Sequence, residues 1–254
     1  MKRTNLAALG LAAAALLALP AMSRAANSIG IENSPHDFST NSLYQPWNSR
    51  HGVCSSCHSV HNTDAAQVIP LWNHKTTTAS FTPYSSPSLN ASVGAPNGKS
   101  LACLSCHDGT VAVNEGSGGL GTNAPILMGV IDPAAVIGPD LHTTHPISFV
   151  YDAALATADG ALENPTTYKI GDPKTRLTVQ TPPVPTTWPA GSVSIVGKTI
   201  DEALLDGNHR VQCTSCHDVH KMVGSAPGSG ILVKISGTDA DNRGSTICRT
   251  CHVK

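Results

Sequence analysis

Cys54-Ser55-Ser56-Cys57-His58 opens a series that returns as Cys103-Leu104-Ser105-Cys106-His107, Cys213-Thr214-Ser215-Cys216-His217 and Cys248-Arg249-Thr250-Cys251-His252; the four pentapeptides hold all eight cysteines of the 254-residue chain. Cys-x-x-Cys-His is the attachment signature of haem c. The two thiols form thioethers with the vinyl groups, and the adjacent imidazole folds back onto one face of the iron. Paired thiols also serve structural zinc, and Cys54, Cys57, Cys103 and Cys106 would make an all-thiolate site. Zinc leaves the four histidines unexplained. With 12 histidines in 254 residues, one follows a given CxxC by chance about one time in twenty, so four in four selects haem. The reading is four covalently bound haem c groups, held by Cys54, Cys57, Cys103, Cys106, Cys213, Cys216, Cys248 and Cys251, with His58, His107, His217 and His252 as proximal ligands.

The first residues agree with this chemistry. Lys2 and Arg3 precede an apolar run from Leu6 to Leu19, then Pro20 and the small-residue stretch Ser23-Arg24-Ala25-Ala26, which reads as a secretory signal peptide over residues 1–25. The run is too short for a permanent membrane anchor. Export suits haem c attachment, and in an oxidising compartment an even number of cysteines alone would suggest disulfides. The histidine that follows each pair breaks the tie. Cleavage removes the positive charges of Lys2, Arg3 and Arg24 from a chain of formal net charge -1, and haem propionates add more negative charge. An acidic, secreted protein is a poor partner for nucleic acid and for anionic membrane surfaces, and no stable membrane insertion is expected.

Residues 26–254 read as a single tetrahaem domain. Three Trp and three Phe supply little core, so the porphyrins themselves are expected to form the hydrophobic centre. Eighteen prolines and 22 glycines, clustered as in Thr181-Pro182-Pro183-Val184-Pro185 and from Gly116 to Gly121, interrupt every periodic stretch. The fold class is a mostly irregular, coil-rich multihaem cytochrome with short helices at the CxxCH motifs and a few short strands. Ala153 to Leu162 and Thr199 to Leu205 predict short helices, while Leu177 to Val179, Val193 to Val196 and Ile231 to Ile235 predict strands. The segment from Thr110 to Asn208 reads as a loop-and-strand layer, not a second domain.

Function turns on the sixth iron ligand. Eight histidines lie outside the motifs and only four are needed, whereas after signal removal the methionines are just Met128 and Met222. Four bis-histidine irons leave no open coordination site, which suits electron transfer and disfavours substrate chemistry. His61 and His220 follow a proximal histidine by three residues and so project to the same side of a helical turn; each should reach a neighbouring haem and not its own. The proline after His145 holds that residue extended. His36, in Ser34-Pro35-His36-Asp37-Phe38, stands where an N-terminal arm could extend to another molecule. His74 and His209 are alternates, and His51 and His142 read as surface residues.

The ordered set Pro35-His36-Asp37-Phe38, Cys54 to His61 leading to Pro70-Leu71-Trp72-Asn73-His74, Leu104 to Thr110, His145-Pro146-Ile147-Ser148-Phe149 and Cys213 to His220 resembles the OmcE-type tetrahaem cytochromes. The resemblance covers most of the chain after the signal. It implies an extracellular filament in which subunits join head to tail and haems stack along the axis. It also implies that His36 ligates a haem of the adjacent subunit while His61, His145 and His220 serve within their own. On this reading the protein carries electrons over long distance to other redox proteins or external acceptors and is not an enzyme. Two alternatives stand beside it: a monomeric periplasmic shuttle, and a multihaem reductase, which would need a five-coordinate haem.

Overall fold

The computed structural model describes residues 31–32, 34–39, 47–48, 51–61, 69–116, 119–120, 123–170, 195, 197–220, 234 and 246–253. Among the described residues six short α-helices stand in a framework of turns and loops: α1 (Gly98–His107), α2 (Met128–Ile131), α3 (Ala153–Asp159), α4 (Ile200–Leu204), α5 (Cys213–Cys216) and α6 (Thr246–Cys251), with a 3₁₀ turn at Pro133–Ala135. Residues 1–25, Leu177 to Val179 and most of Val193 to Val196 and Ile231 to Ile235 lie outside the described residues. Among the described residues the β-structure is a set of isolated bridges.

Local chemistry explains the two helices foreseen outside the motifs. The Asp152 side chain accepts from Leu155 N and caps the start of α3; Gly160, in the left-handed region at φ 72°, donates to Ala156 O and ends it. The helix therefore stops at Asp159, and Leu162 pairs instead with His252. Thr199 and Glu202 form a reciprocal capping box at α4, each side chain satisfying a backbone N–H of the other. In both helices the stabilising contacts lie within four residues, which is why short pattern reading finds them.

Two apolar clusters hold the loops together. The larger joins Phe149, Tyr151, Ala156, Tyr168, Ile170, Ile200, Leu204 and Val211, with Ile247 and Cys251 of α6 packed against it. The smaller seats Phe38 against Val113 and Met128, bordered by Trp47, Cys106, Ile131 and Ala135. Burial of this kind is the main favourable term for a chain with so little regular hydrogen bonding. The first cluster thus anchors the fourth motif, and the second surrounds the second motif and ties the Ser34–Ser39 segment to it. Between them α1 packs on α5, and α4 on α5.

Candidate functional site

Each CxxCH closes a helical turn, because the histidine N–H reaches back four residues to the first cysteine carbonyl. His58 N bonds Cys54 O at 2.9 Å, His217 N bonds Cys213 O at 2.9 Å and His252 N bonds Cys248 O at 3.0 Å. In the second motif the turn is the last of α1, and Asp108 N donates to Leu104 O at 2.8 Å. Such a turn sets two thiols and an imidazole on adjoining positions.

Non-local bonds then aim the turns. The first motif is clamped to residues 71–73: Ser59 N bonds Leu71 O at 2.9 Å and Asn73 N bonds Cys57 O at 2.8 Å. His58 Nδ1 donates to Pro70 O at 2.9 Å, and Leu71 takes a left-handed φ of 57° beside it. That conformation is costly for leucine and turns the Pro70 carbonyl toward the ring. His107 Nδ1 donates likewise to Ala135 O at 2.8 Å, while Ile137 N bonds His107 O at 2.7 Å. With Nδ1 carrying the proton, Nε2 keeps the lone pair a metal needs. The fourth motif is held by Glu163 N on Cys251 O and Val253 N on Ala161 O, both 2.8 Å.

Among the described residues, three ring contacts join a motif histidine to a histidine outside the motifs. His58 and His220 have centroids 6.2 Å apart with planes at 26°, His36 and His107 are 6.0 Å apart at 54°, and His145 and His252 are 6.3 Å apart at 77°. An imidazole nitrogen binds a first-row metal at about 2 Å, and the ring centre lies roughly 1 Å beyond, so two imidazoles on opposite sides of one iron have centres about 6 Å apart. All three pairs fit that separation. His145 also donates through Nδ1 to Pro146 O at 2.8 Å, in the manner of His58 and His107. The Nδ1 atom of His36 is buried with no hydrogen-bond partner, an arrangement that normally costs stability unless another ligand satisfies it. Burial first, then the neighbouring His107, His217 and His220, lowers the His36 pKa to about 4 and keeps that ring neutral.

Cys57 lies close enough to raise the pKa of Cys106, after burial, and Cys216 acts in the same way on Cys251, which is pushed up to about 12. Cys103 and Cys213 share a hydrogen bond, which holds Cys103 up and Cys213 down to about 7. The second and third motifs adjoin, since α1 packs on α5. All eight thiols are free of disulfides.

Exposed apolar side chains gather beside the motif histidines. Val60 and Leu71, 75% and 50% exposed, flank His58; Val136 and Ile137 follow the Ala135 carbonyl that holds His107; Val253 follows His252. Apolar surface in such positions suits a flat hydrophobic ligand. No three His, Cys, Asp or Glu side chains among the described residues surround a common point as a bare metal ion requires. Two imidazoles with four further donors from a macrocycle make a complete set, so the residues fit haem.

The other expected ligands stand apart from this pattern. His61 is exposed, and its backbone N bonds Ser59 Oγ at 3.2 Å. His74 is buried, with Nδ1 2.9 Å from Lys75 O and Nε2 3.0 Å from Ala112 O and 3.4 Å from Cys106 Sγ. A neutral imidazole carries one N–H, so one of those carbonyls meets a lone pair. His209 is exposed and bonds Asp201 Oδ1 at 2.7 Å, and His142 pairs with Asp140. His51 Nδ1 lies 3.0 Å from Ser39 O. His36 faces His107 of its own chain, whereas the family resemblance implies a haem of the adjacent subunit. The Pro70 and Ala135 carbonyls that orient the rings carry no sequence signal of their own.

No protein-family model matches the chain, and no curated protein matches it.

Proposed function

We propose that this protein is a tetrahaem c-type cytochrome that moves electrons through bis-histidine haems and polymerises outside the cell, with no substrate chemistry of its own. The observation that carries the reading is the set of three pairs, His58 with His220, His36 with His107 and His145 with His252, each at the spacing of two axial ligands. Bound haem supplies a one-electron iron couple. The chain's own residues do the rest. The cysteines would fix each porphyrin edge, the Pro70 and Ala135 carbonyls hold the His58 and His107 rings by their Nδ1 atoms, and His220, His36 and His145 would supply a second imidazole to the His58, His107 and His252 centres. Closed irons suit electron transfer better than reduction of a small oxyanion. The packing of α1 on α5 sets the second motif beside the third, which supports electron exchange between those two haems.

Polymerisation needs an element that one copy can lend to the next. The Ser34–Ser39 segment has that form, because Phe38 anchors it in an apolar seat and His36 presents a ligand beside the seat. Made between copies instead of within one, the same His36 to His107 contact propagates without closing and yields a head-to-tail filament. The partners are then further copies of this chain, other redox proteins and external acceptors. Among the described residues no helix is long and apolar enough to cross a membrane.

The test is the native protein recovered from the producing cells, assayed for covalent haem and imaged by negative stain. Four haems per chain in filaments, lost as filaments but kept as haems in His36→Ala, are expected. Monomers with four saturated haems would replace the filament with a periplasmic shuttle, a high-spin iron would revive the reductase, and a colourless zinc-bearing protein would overturn the haem reading altogether.

A further inference from the structure

Gln212, the residue before the third motif, is 1% exposed and uses every polar atom of its side chain. Its Oε1 accepts from Ser100 N at 3.2 Å, from Ser100 Oγ and from Ser148 Oγ at 3.3 Å. Its Nε2 donates to Asp206 Oδ2 at 2.8 Å and to Asn97 Oδ1 at 3.2 Å. Its backbone N bonds Ser215 Oγ at 2.9 Å, and Ser100 Oγ accepts in turn from Cys213 N at 2.9 Å. Ser100 is itself wholly buried, and Ser148 takes a left-handed φ of 63° to reach the group. Asn97 and Ser100 begin α1, which ends in the second motif; Cys213 begins α5, which is the third.

We propose that Gln212 is a positioning residue that locks the second and third CxxCH turns into one rigid unit and so sets the distance and tilt between the two porphyrins they carry. The inference rests on the haem reading above. An apolar residue would fill the same space but would not set an angle, because packing is non-directional whereas five converging hydrogen bonds fix both helix starts at once. A network this deeply buried is also costly to satisfy in part, so the two turns move together or the unit opens. Electron exchange between neighbouring porphyrins falls steeply with their separation, which gives the rigidity a functional consequence.

The experiment uses the intact haem-loaded protein with Gln212→Met, Ser100→Ala and, as a control outside the network, Ile170→Val. Covalent haem content, the low-spin absorption spectrum and the exciton couplet in Soret circular dichroism are read for each. The couplet reports the mutual orientation of adjacent porphyrins, which a loss of stability alone does not change in the folded protein. With haem content and low-spin spectrum unaltered, the couplet should fall roughly twofold in Gln212→Met and less in Ser100→Ala, and hold in Ile170→Val. An unchanged couplet in a fully loaded Gln212→Met would overturn the proposal. If that variant fails to fold, an unchanged couplet in Ser100→Ala overturns it equally. Wild-type protein without haem would defeat the underlying reading instead, so the two failures are distinct.

Discussion

The imidazoles of His58 and His220 lie 6.2 Å apart and 26° from parallel, although they belong to the first and third motif segments of the chain. The histidine three residues after one CxxCH thus faces the proximal histidine of another. Removing it should open one iron and no other. His220→Ala is expected to retain four covalent haems while about one iron in four turns high-spin, read by absorption and magnetic resonance; His61→Ala should leave the His58 iron low-spin.

On the proposed haem reading, ring orientation would separate the centres electronically. Two imidazoles bound to one iron with nearly parallel planes would split its dxz and dyz orbitals, whereas nearly perpendicular planes would cancel that splitting. The His58 and His220 pair at 26° should therefore give a rhombic low-spin signal, and His145 and His252 at 77° a highly anisotropic one. His145→Ala should abolish the anisotropic signal selectively, as electron paramagnetic resonance of the oxidised protein will check.

Phe38 is the anchor of the segment that carries His36. It is buried against Val113 and Met128, and truncating a buried phenylalanine costs about 3 kcal/mol. Phe38→Ala should lower the thermal midpoint and weaken His36 ligation at the His107 iron together. A loss of stability with that iron still fully low-spin would separate the anchor from the ligand.

Some of this architecture is legible locally and some is not. Asp152, Gly160, Thr199 and Glu202 announce the ends of α3 and α4 because a cap acts within one turn. Asp152→Ala and Gly160→Ala should each cost about 1 kcal/mol in denaturant titration, and a Cβ at Gly160 meets no neighbour within 4 Å, so the second cost is conformational. The CxxCH turns are equally readable. Which histidines pair is not, because His36 meets His107 through the packing of Phe38 and His145 meets His252 from a distant part of the chain. Those partners are brought together by tertiary contacts that leave no periodic trace. Gln212 has no motif at all; only its five bonds reveal its place.

His209 distinguishes an alternate ligand from a surface ion pair. Its bond to Asp201, and then that residue's charge, raises its pKa above the ordinary histidine value. A raised folded-state pKa contributes stability in full below the unfolded value and loses it as pH rises through the folded one. His209→Gln should therefore lower the thermal midpoint more at about pH 5.5 than at about pH 8.5. Equal shifts at both, with a change in iron spin state, would make His209 a ligand.

On the proposed haem reading, motif and non-motif histidines clasp the same irons. A high-resolution cryo-electron microscopy structure of the haem-loaded protein from its native source tests it most directly. Six-coordinate irons are expected, with Nε2 of His58 opposite His220, His107 opposite His36, whether from the same or an adjoining copy, and His252 opposite His145. Irons ligated by other residues in these three centres, or CxxC pairs bound to zinc or joined as disulfides, would contradict it.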